Sequence, residues 1–202
     1  MSSTILVGKQ APNFIANTVM PNNEIKSDFD FAKYLNGDVG VLFFYPLDFT
    51  FVCPTEIIAF NHRLGDFSSR KVKVVAVSVD SHFSHLAWKN TPVSGGGIGN
   101  VQLPLVSDLN KSIAKDYGVL FNDNIALRAS FLIDKHGIVR HQVVNDFPLG
   151  RNIDEMIRMV DALEHHEKYG EVCPAGWNKG EEAMKANPEG VADYLTSNAD
   201  KL

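Results

Sequence analysis

The chain has 202 residues, 45% of them hydrophobic, and 19 Lys and Arg against 24 Asp and Glu give a formal net charge of −5. That is enough apolar material to bury a core, which excludes a disordered chain, and the size suits one domain. The acidic balance, with no Lys/Arg-rich block, leaves no footprint for nucleic acid, and no apolar run approaches the roughly 20 residues that cross a bilayer.

The first nine residues carry neither a basic leader nor an apolar stretch of about 7–15 residues. They do not read as a secretory signal, and the expected location is the cytoplasm. In a reducing compartment the two cysteines, Cys53 and Cys173, are rarely a structural staple. Their separation rules out a Cys-x-x-Cys pair or a zinc site made of thiols alone. They are catalytic, transiently linked, or simply buried.

Residues 39–45, Val-Gly-Val-Leu-Phe-Phe-Tyr, are a β-favouring apolar run stopped by Pro46, the pattern of a central strand buried on both faces. After a turn at 48–50, Ile57, Ile58, Phe60 and Leu64 recur near helical spacing behind Pro54 and Glu56, which puts Cys53 at a helix N-terminus. Residues 71–79 predict a second buried strand and 82–89 a helix. Residues 91–101, with Pro92 and Gly95-Gly96-Gly97-Ile98-Gly99, read as a mobile loop. No Gly-Lys-Ser/Thr follows, so it is not a phosphate cradle. An apolar run at 103–106 and a short helix near 111–117 come next, then a hairpin of 130–134 and 138–144 around Lys135-His136-Gly137. Ile153, Met156, Ile157, Val160 and Leu163 mark an amphipathic helix.

Strands alternating with helices, then an antiparallel hairpin and a helix, predict an α/β fold with a mixed central sheet flanked by helices, thioredoxin-like in topology. From Tyr169 onward, Gly170, Pro174, Gly176, Gly180, Pro188 and Gly190 break any long element. Residues 1–168 are therefore expected to form the domain, and 169–202 a C-terminal arm that carries Cys173 and has no core of its own.

A helix N-terminus offers unpaired N–H groups and the positive end of the helix dipole, so a cysteine there is biased toward thiolate. On position alone, a small buried cysteine packed under the sheet is an equal reading of Cys53. Paired histidines at 82/85 and 165/166 come without a matching carboxylate or cysteine set and read as exposed helix-face residues; Trp88 and Trp177 read as packing.

The stretch Pro46-Leu-Asp-Phe-Thr50-Phe-Val-Cys53-Pro-Thr-Glu56 resembles the peroxiredoxin signature Pro-x-x-x-Thr-x-x-Cys. The likeness continues through Trp88, through Arg128 in Ala-Leu-Arg-Ala-Ser-Phe, and through Glu171-Val-Cys173-Pro-Ala-Gly-Trp177. The chain is similar to the typical two-cysteine peroxiredoxins, on the branch of the alkyl hydroperoxide reductase C subunit. The resemblance implies a thiol peroxidase that reduces hydrogen peroxide and organic hydroperoxides. Cys53 would attack, Thr50 and Arg128 would be its polar partners, Pro46 would shield the pocket, and Cys173 would resolve the sulfenic acid as a disulfide, with the partner cysteine on another subunit. It also implies recycling by a thioredoxin-like protein or a flavoprotein reductase, and a homodimer assembling into a decamer. A chaperone or redox-sensor activity is compatible with the family. No cofactor, metal, nucleic acid or membrane is expected. A cysteine hydrolase is the competing enzyme class, but no hydrolase signature surrounds Cys53.

Each role has a physical reason. Arg128 keeps its charge at any working pH, so it can stabilise both a thiolate and the oxygen that turns negative as a peroxide bond breaks. The Thr50 hydroxyl can accept from one group while donating to another. Pro46 has no N–H and a fixed φ. Glu56 either orients a neighbouring arginine or is an exposed first-turn carboxylate. Lowering a thiol pKa from about 8.5 to about 6 raises the thiolate fraction at pH 7 roughly 30-fold, yet intrinsic nucleophilicity falls roughly 13-fold. Ionisation alone gains only about twofold. Alignment and leaving-group stabilisation must supply the rest. A Gly96-Gly97-Ile98-Gly99 loop with Tyr194-Leu195, where peroxide-sensitive family members carry Tyr-Phe, implies intermediate sensitivity to excess peroxide.

Overall fold

The computed structural model describes residues 5–202, so the reading of the first nine residues as free of a leader falls in part outside the described residues. The chain divides into two compact units, Met1–Ile153 and Asp154–Leu202.

The first unit begins with β1 (Ile15–Val19), β2 (Ile25–Asp30), α1 (Phe31–Leu35) and β3 (Val39–Phe44). It continues through α2 (Cys53–His62), α3 (Leu64–Ser69), β4 (Val72–Ser78), α4 (His82–Asn90), β5 (Leu105–Ser107) and α5 (Ser112–Asp116). A two-stranded ribbon of β6 (Leu120–Phe121) and β7 (Ile125–Ala126) precedes β8 (Arg128–Ile133) and β9 (Val139–Asn145). Seven strands form one sheet in the order β2-β1-β5-β4-β3-β8-β9. The β3, β4 and β5 strands are parallel, while β1, β8 and β9 pair antiparallel, so the sheet is mixed.

The apolar run that predicted β3 explains its place. Leu42 and Phe44 point into a cluster with Phe31 and Leu35 of α1, Ile113 of α5, Tyr117 and Phe131. Phe43 and Tyr45 point the other way, where Phe43 stacks on Phe60 of α2 at 4.1 Å and Tyr45 lies 6.1 Å from Trp88 of α4. Burial on both faces suits the centre of a sheet. Truncating Phe60, which is 1% exposed, would cost about 3–5 kcal/mol.

Two local features differ from the sequence reading, and a third, the β1–β2 hairpin, has no counterpart in it. The N-terminal β1–β2 hairpin lacks a clean alternation, because Ile15 is exposed while Thr18 and Val19 are both buried. The helix expected to run to Leu64 ends at His62, because the next residue, Arg63, has a ψ of 6° that leaves the helical region, and α3 starts afresh. The glycine run is anchored rather than loose. Trp88 Nε1 donates to Gly96 O at 3.0 Å, Ile98 is buried, and a Cβ on Gly97 would lie 1.9 Å from Thr91 O.

In the second unit, α6 (Ile153–Tyr169, its first residue the last of the first unit) buries Met156, Ile157 and Val160 at helical spacing. Pro188 and Gly190, read above as breakers, instead start α7 (Pro188–Asn198). Pro188 occupies the first turn, where its missing N–H costs nothing, and the Asn187 side chain accepts from Gly190 N at 2.7 Å. Among the described residues no helix is long and apolar enough to cross a membrane.

Candidate active site

The α2 helix buries Cys53, Glu56, Ile57 and Phe60, the i, i+3, i+4, i+7 set of one face. Cys53 and Glu56 thus share the side that faces the sheet. On β8, the period of two directs Ala129, Phe131 and Ile133 into the Leu42 cluster and leaves Arg128 and Ser130 on the face covered by α2. Arg128 Nη1 donates to Cys53 Sγ at 3.3 Å and to Glu56 Oε2 at 2.6 Å, while its Nε donates to Phe147 O at 2.7 Å. The guanidinium is 5% exposed and Cys53 is fully buried.

A second arginine, which sequence reasoning missed, completes the cluster. Arg151 Nε and its backbone N donate to Glu56 Oε1 at 2.8 and 3.0 Å, and Nη2 donates to Glu56 Oε2 at 2.8 Å. Its Nη1 donates to Phe44 O and Ala129 O, both at 2.7 Å, which rivets α2 to β3 and β8. The available signal was Glu56 itself: a carboxylate on the apolar face of a helix requires cations beside it. Burial works against ionisation of Glu56, but Arg151 and Arg128 outweigh it and hold the carboxyl below its ordinary range. The exposed-carboxylate reading of Glu56 is therefore corrected. Two guanidiniums against one carboxylate leave one positive charge beside the sulfur, a cavity of charge suited to one further anion.

Pro46 is buried at the end of β3, and Thr50 lies in the turn before α2 with its hydroxyl donating to Leu47 O at 2.8 Å. Between them, Phe49 holds a φ of 53°, a strained value for a bulky residue. Its ring rests 5.7 Å from Trp88. Asp48 anchors the same turn: its carboxylate accepts from Tyr45 Oη at 2.8 Å and meets His85 Nδ1 at 2.8 Å, and its N–H donates to Asp80 at 2.9 Å. His85 is fully buried, which corrects its reading as an exposed helix-face residue; it shares the inward side of α4 with Trp88 and Lys89. Trp88 and Trp177 are both buried.

The geometry thus brings Cys53, Glu56 and Arg128 together, with Pro46 and Thr50 on the adjoining turn. Cys173 belongs to the second unit. It is half-buried, and its thiol lies 3.6 Å from Ala162 O of α6. Both cysteines are free thiols, and among the described residues no His, Cys, Asp and Glu group could hold a metal ion.

Comparison with known proteins places this arrangement. The AhpC/TSA family model matches residues 7–142, and a model for the C-terminal domain of 1-Cys peroxiredoxin matches residues 162–197, a segment that carries Cys173 here. The alkyl hydroperoxide reductase C of Helicobacter pylori (strain ATCC 700392 / 26695) is 58% identical over 198 residues, covering 98% of this chain and 100% of that protein. Peroxiredoxin-1 of Gallus gallus is 48% identical over 196 residues, covering 96% and 98%. The reduced crystal structure of a 2-Cys peroxiredoxin from Plasmodium vivax superposes with a TM-score of 0.93 at 51% identity, covering 95% of this chain and 99% of that one. With a thioredoxin-like mixed sheet and a buried cysteine at the head of α2, the chain belongs to the AhpC/TSA family and is a peroxiredoxin, a thiol peroxidase.

Proposed function

We propose that Cys53 is the attacking thiol of this peroxidase and Cys173 its resolving thiol. The observation that carries the reading is the sharing of Arg128 Nη1 between Cys53 Sγ and Glu56 Oε2. The Cys53 thiolate attacks one peroxide oxygen, the S–O bond forms as the O–O bond breaks, and the other oxygen leaves as water or an alcohol after taking a proton. Negative charge passes from sulfur to the departing oxygen, and Arg128 stabilises both ends of that path. Arg151 acts through Glu56 to fix where Arg128 points. Thr50, whose single O–H is committed to Leu47 O, keeps lone pairs to accept the peroxide proton. Pro46 presents no N–H to the sulfur.

Cys173 then condenses with the sulfenic acid: the S–S bond forms, the S–O bond breaks, and hydroxide leaves with the thiol proton as water. A dithiol partner, a thioredoxin-like protein or a flavoprotein reductase, restores both thiols, and a reducing compartment such as the cytoplasm suits the cycle. The outer position of β9 supports a homodimer extended through that edge, since unpaired strand groups invite a second strand. Family likeness supports disulfides between subunits and five dimers in a ring, with residues 169–202 acting as the arm that delivers Cys173.

Non-reducing electrophoresis after one equivalent of hydrogen peroxide tests these roles. The wild type is expected to run as a disulfide-linked dimer. Cys53→Ser is expected to consume no peroxide, and Cys173→Ser to consume one equivalent without forming the dimer. Full turnover by Cys53→Ser with a dithiol reductant would overturn the assignment.

A further inference from the structure

Near its C-terminal end α6 carries two adjacent histidines that the peroxidase chemistry does not use, and both hold one residue. His165 Nε2 lies 2.9 Å from Glu171 Oε2, and His166 Nδ1 lies 2.8 Å from Glu171 O. The His165 ring also sits against Tyr169 at 4.7 Å and Trp177 at 4.9 Å. On the far side of Cys173, Arg158 Nη1 donates to Trp177 O at 3.0 Å. Val172 and Met184 exchange backbone hydrogen bonds at 2.9 and 3.1 Å. The segment bearing Cys173 is therefore tied to α6 before and after the cysteine, with the thiol turned toward the Ala162 carbonyl of that helix.

A disulfide needs sulfurs about 2.05 Å apart and α-carbons within about 7 Å, so a thiol aimed at the backbone of the preceding helix must first swing away. The frequency of that opening limits the forward branch of a competition. Either Cys173 attacks the Cys53 sulfenic sulfur, forming S–S and releasing water, or that sulfur attacks a second hydrogen peroxide, forming a second S–O bond as O–O breaks, with the other oxygen leaving as water, and giving sulfinic acid. We propose that His165 and His166, by clamping Glu171, set how often the Cys173 segment leaves α6 and hence how the sulfenic acid divides between disulfide and sulfinic acid. The two histidines are positioning residues, and the inference rests on the resolving role given to Cys173 above.

The full-length protein tests it by intact mass after a graded excess of hydrogen peroxide. Removing a hydrogen bond to a charged group by His165→Ala is expected to raise the disulfide-to-sulfinate ratio about fivefold, which corresponds to about 1 kcal/mol. His166→Ala is expected to raise it in the same direction, and His165→Gln, which retains a donor for Glu171, to restore the wild-type ratio. The rate of the first oxidation of Cys53 should be the same in all three, which a general loss of fold would not allow. Should His165→Ala disturb that rate, the ratios in His166→Ala and His165→Gln decide. An unchanged or lowered ratio in the alanine variants overturns the clamp. Cys173→Ser separates the two levels: disulfide surviving in that variant overturns the resolving role, whereas its loss together with unmoved ratios in the histidine variants overturns the clamp alone.

Discussion

The two cysteines of this chain occupy opposite electrostatic settings. Cys53 is fully buried beside a cluster in which two arginines face one carboxylate, leaving a surplus positive charge within hydrogen-bonding distance of sulfur. Cys173 has an arginine nearby as well, but Arg158 is held fork to fork by Glu155 at 2.6 and 2.7 Å, so its charge is already balanced. Burial pushes the Cys173 thiol above its ordinary range and Glu171 adds to that, against the pull of Arg158. The two roles proposed for these thiols account for the difference. A first thiol must meet an electrophile while charge develops on oxygen, which calls for fixed cations. A second must wait, protonated and folded away, until a sulfenic acid exists.

The sharpest way to break the comparison is to remove the surplus charge beside Cys53. Arg128→Met keeps much of the volume and is expected to slow the reaction with hydrogen peroxide by roughly 10²–10³-fold, the scale of losing one preorganised donor to a developing oxyanion. The rate is to be read by stopped flow at a pH where alkylation shows the thiol ionised in both proteins. A return to the wild-type rate under that condition would mean that Arg128 acts on ionisation only and has no part in stabilising the leaving oxygen.

A smaller loss is expected from the support behind it. Arg151→Met strips Glu56 of two side-chain hydrogen bonds and leaves Phe44 O and Ala129 O without their shared donor. Breaking a buried pair on one side costs about 3–5 kcal/mol, visible as a lower urea midpoint. The sign with pH follows from Glu56. Its folded pKa lies below the ordinary value of 4.5, so its contribution is complete above 4.5 and disappears as pH falls through the lower folded value. The stability gap between wild type and Arg151→Met should therefore narrow on acidification. A constant gap down to pH 3 would assign the loss to packing alone.

What the sequence revealed of this contrast follows the same physics. The β3 run, the helix behind Cys53 and the β8–β9 hairpin were legible because each buries a continuous or periodic apolar face. Arg128 and Glu56 could be named from the resemblance, but their union with Arg151 is a tertiary fact. Glu56 and Arg151 are 95 residues apart in sequence, and no local pattern links them. The inward turn of His85 was hidden because a polar residue on an apolar helix face looks like an exposed one until its carboxylate partner, Asp48, is known. In the second unit, Pro188 and Gly190 looked like breaks because a proline that starts a helix and one that ends it differ only in what precedes it, here the Asn187 cap.

The smallest expected effect probes the quiet side of the comparison. In a Cys53→Ser background, alkylation of Cys173 is expected to show a midpoint above the ordinary thiol range, because burial disfavours the thiolate. Arg158→Gln should move it further up, since the guanidinium favours the charged sulfur, and Glu171→Gln should move it down, since a neighbouring carboxylate opposes it. Both charges are partly exposed, with side-chain exposures of 24% for Arg158 and 36% for Glu171. Their influence should therefore fade in 1 M salt, where the Debye length is about 3 Å, while the upward displacement due to burial persists. Three titrations at two salt concentrations separate the causes. If the wild-type midpoint itself fell to the ordinary value at high salt, the resting state of Cys173 would be a matter of surface charge, and its protected, protonated thiol would lose its basis in burial.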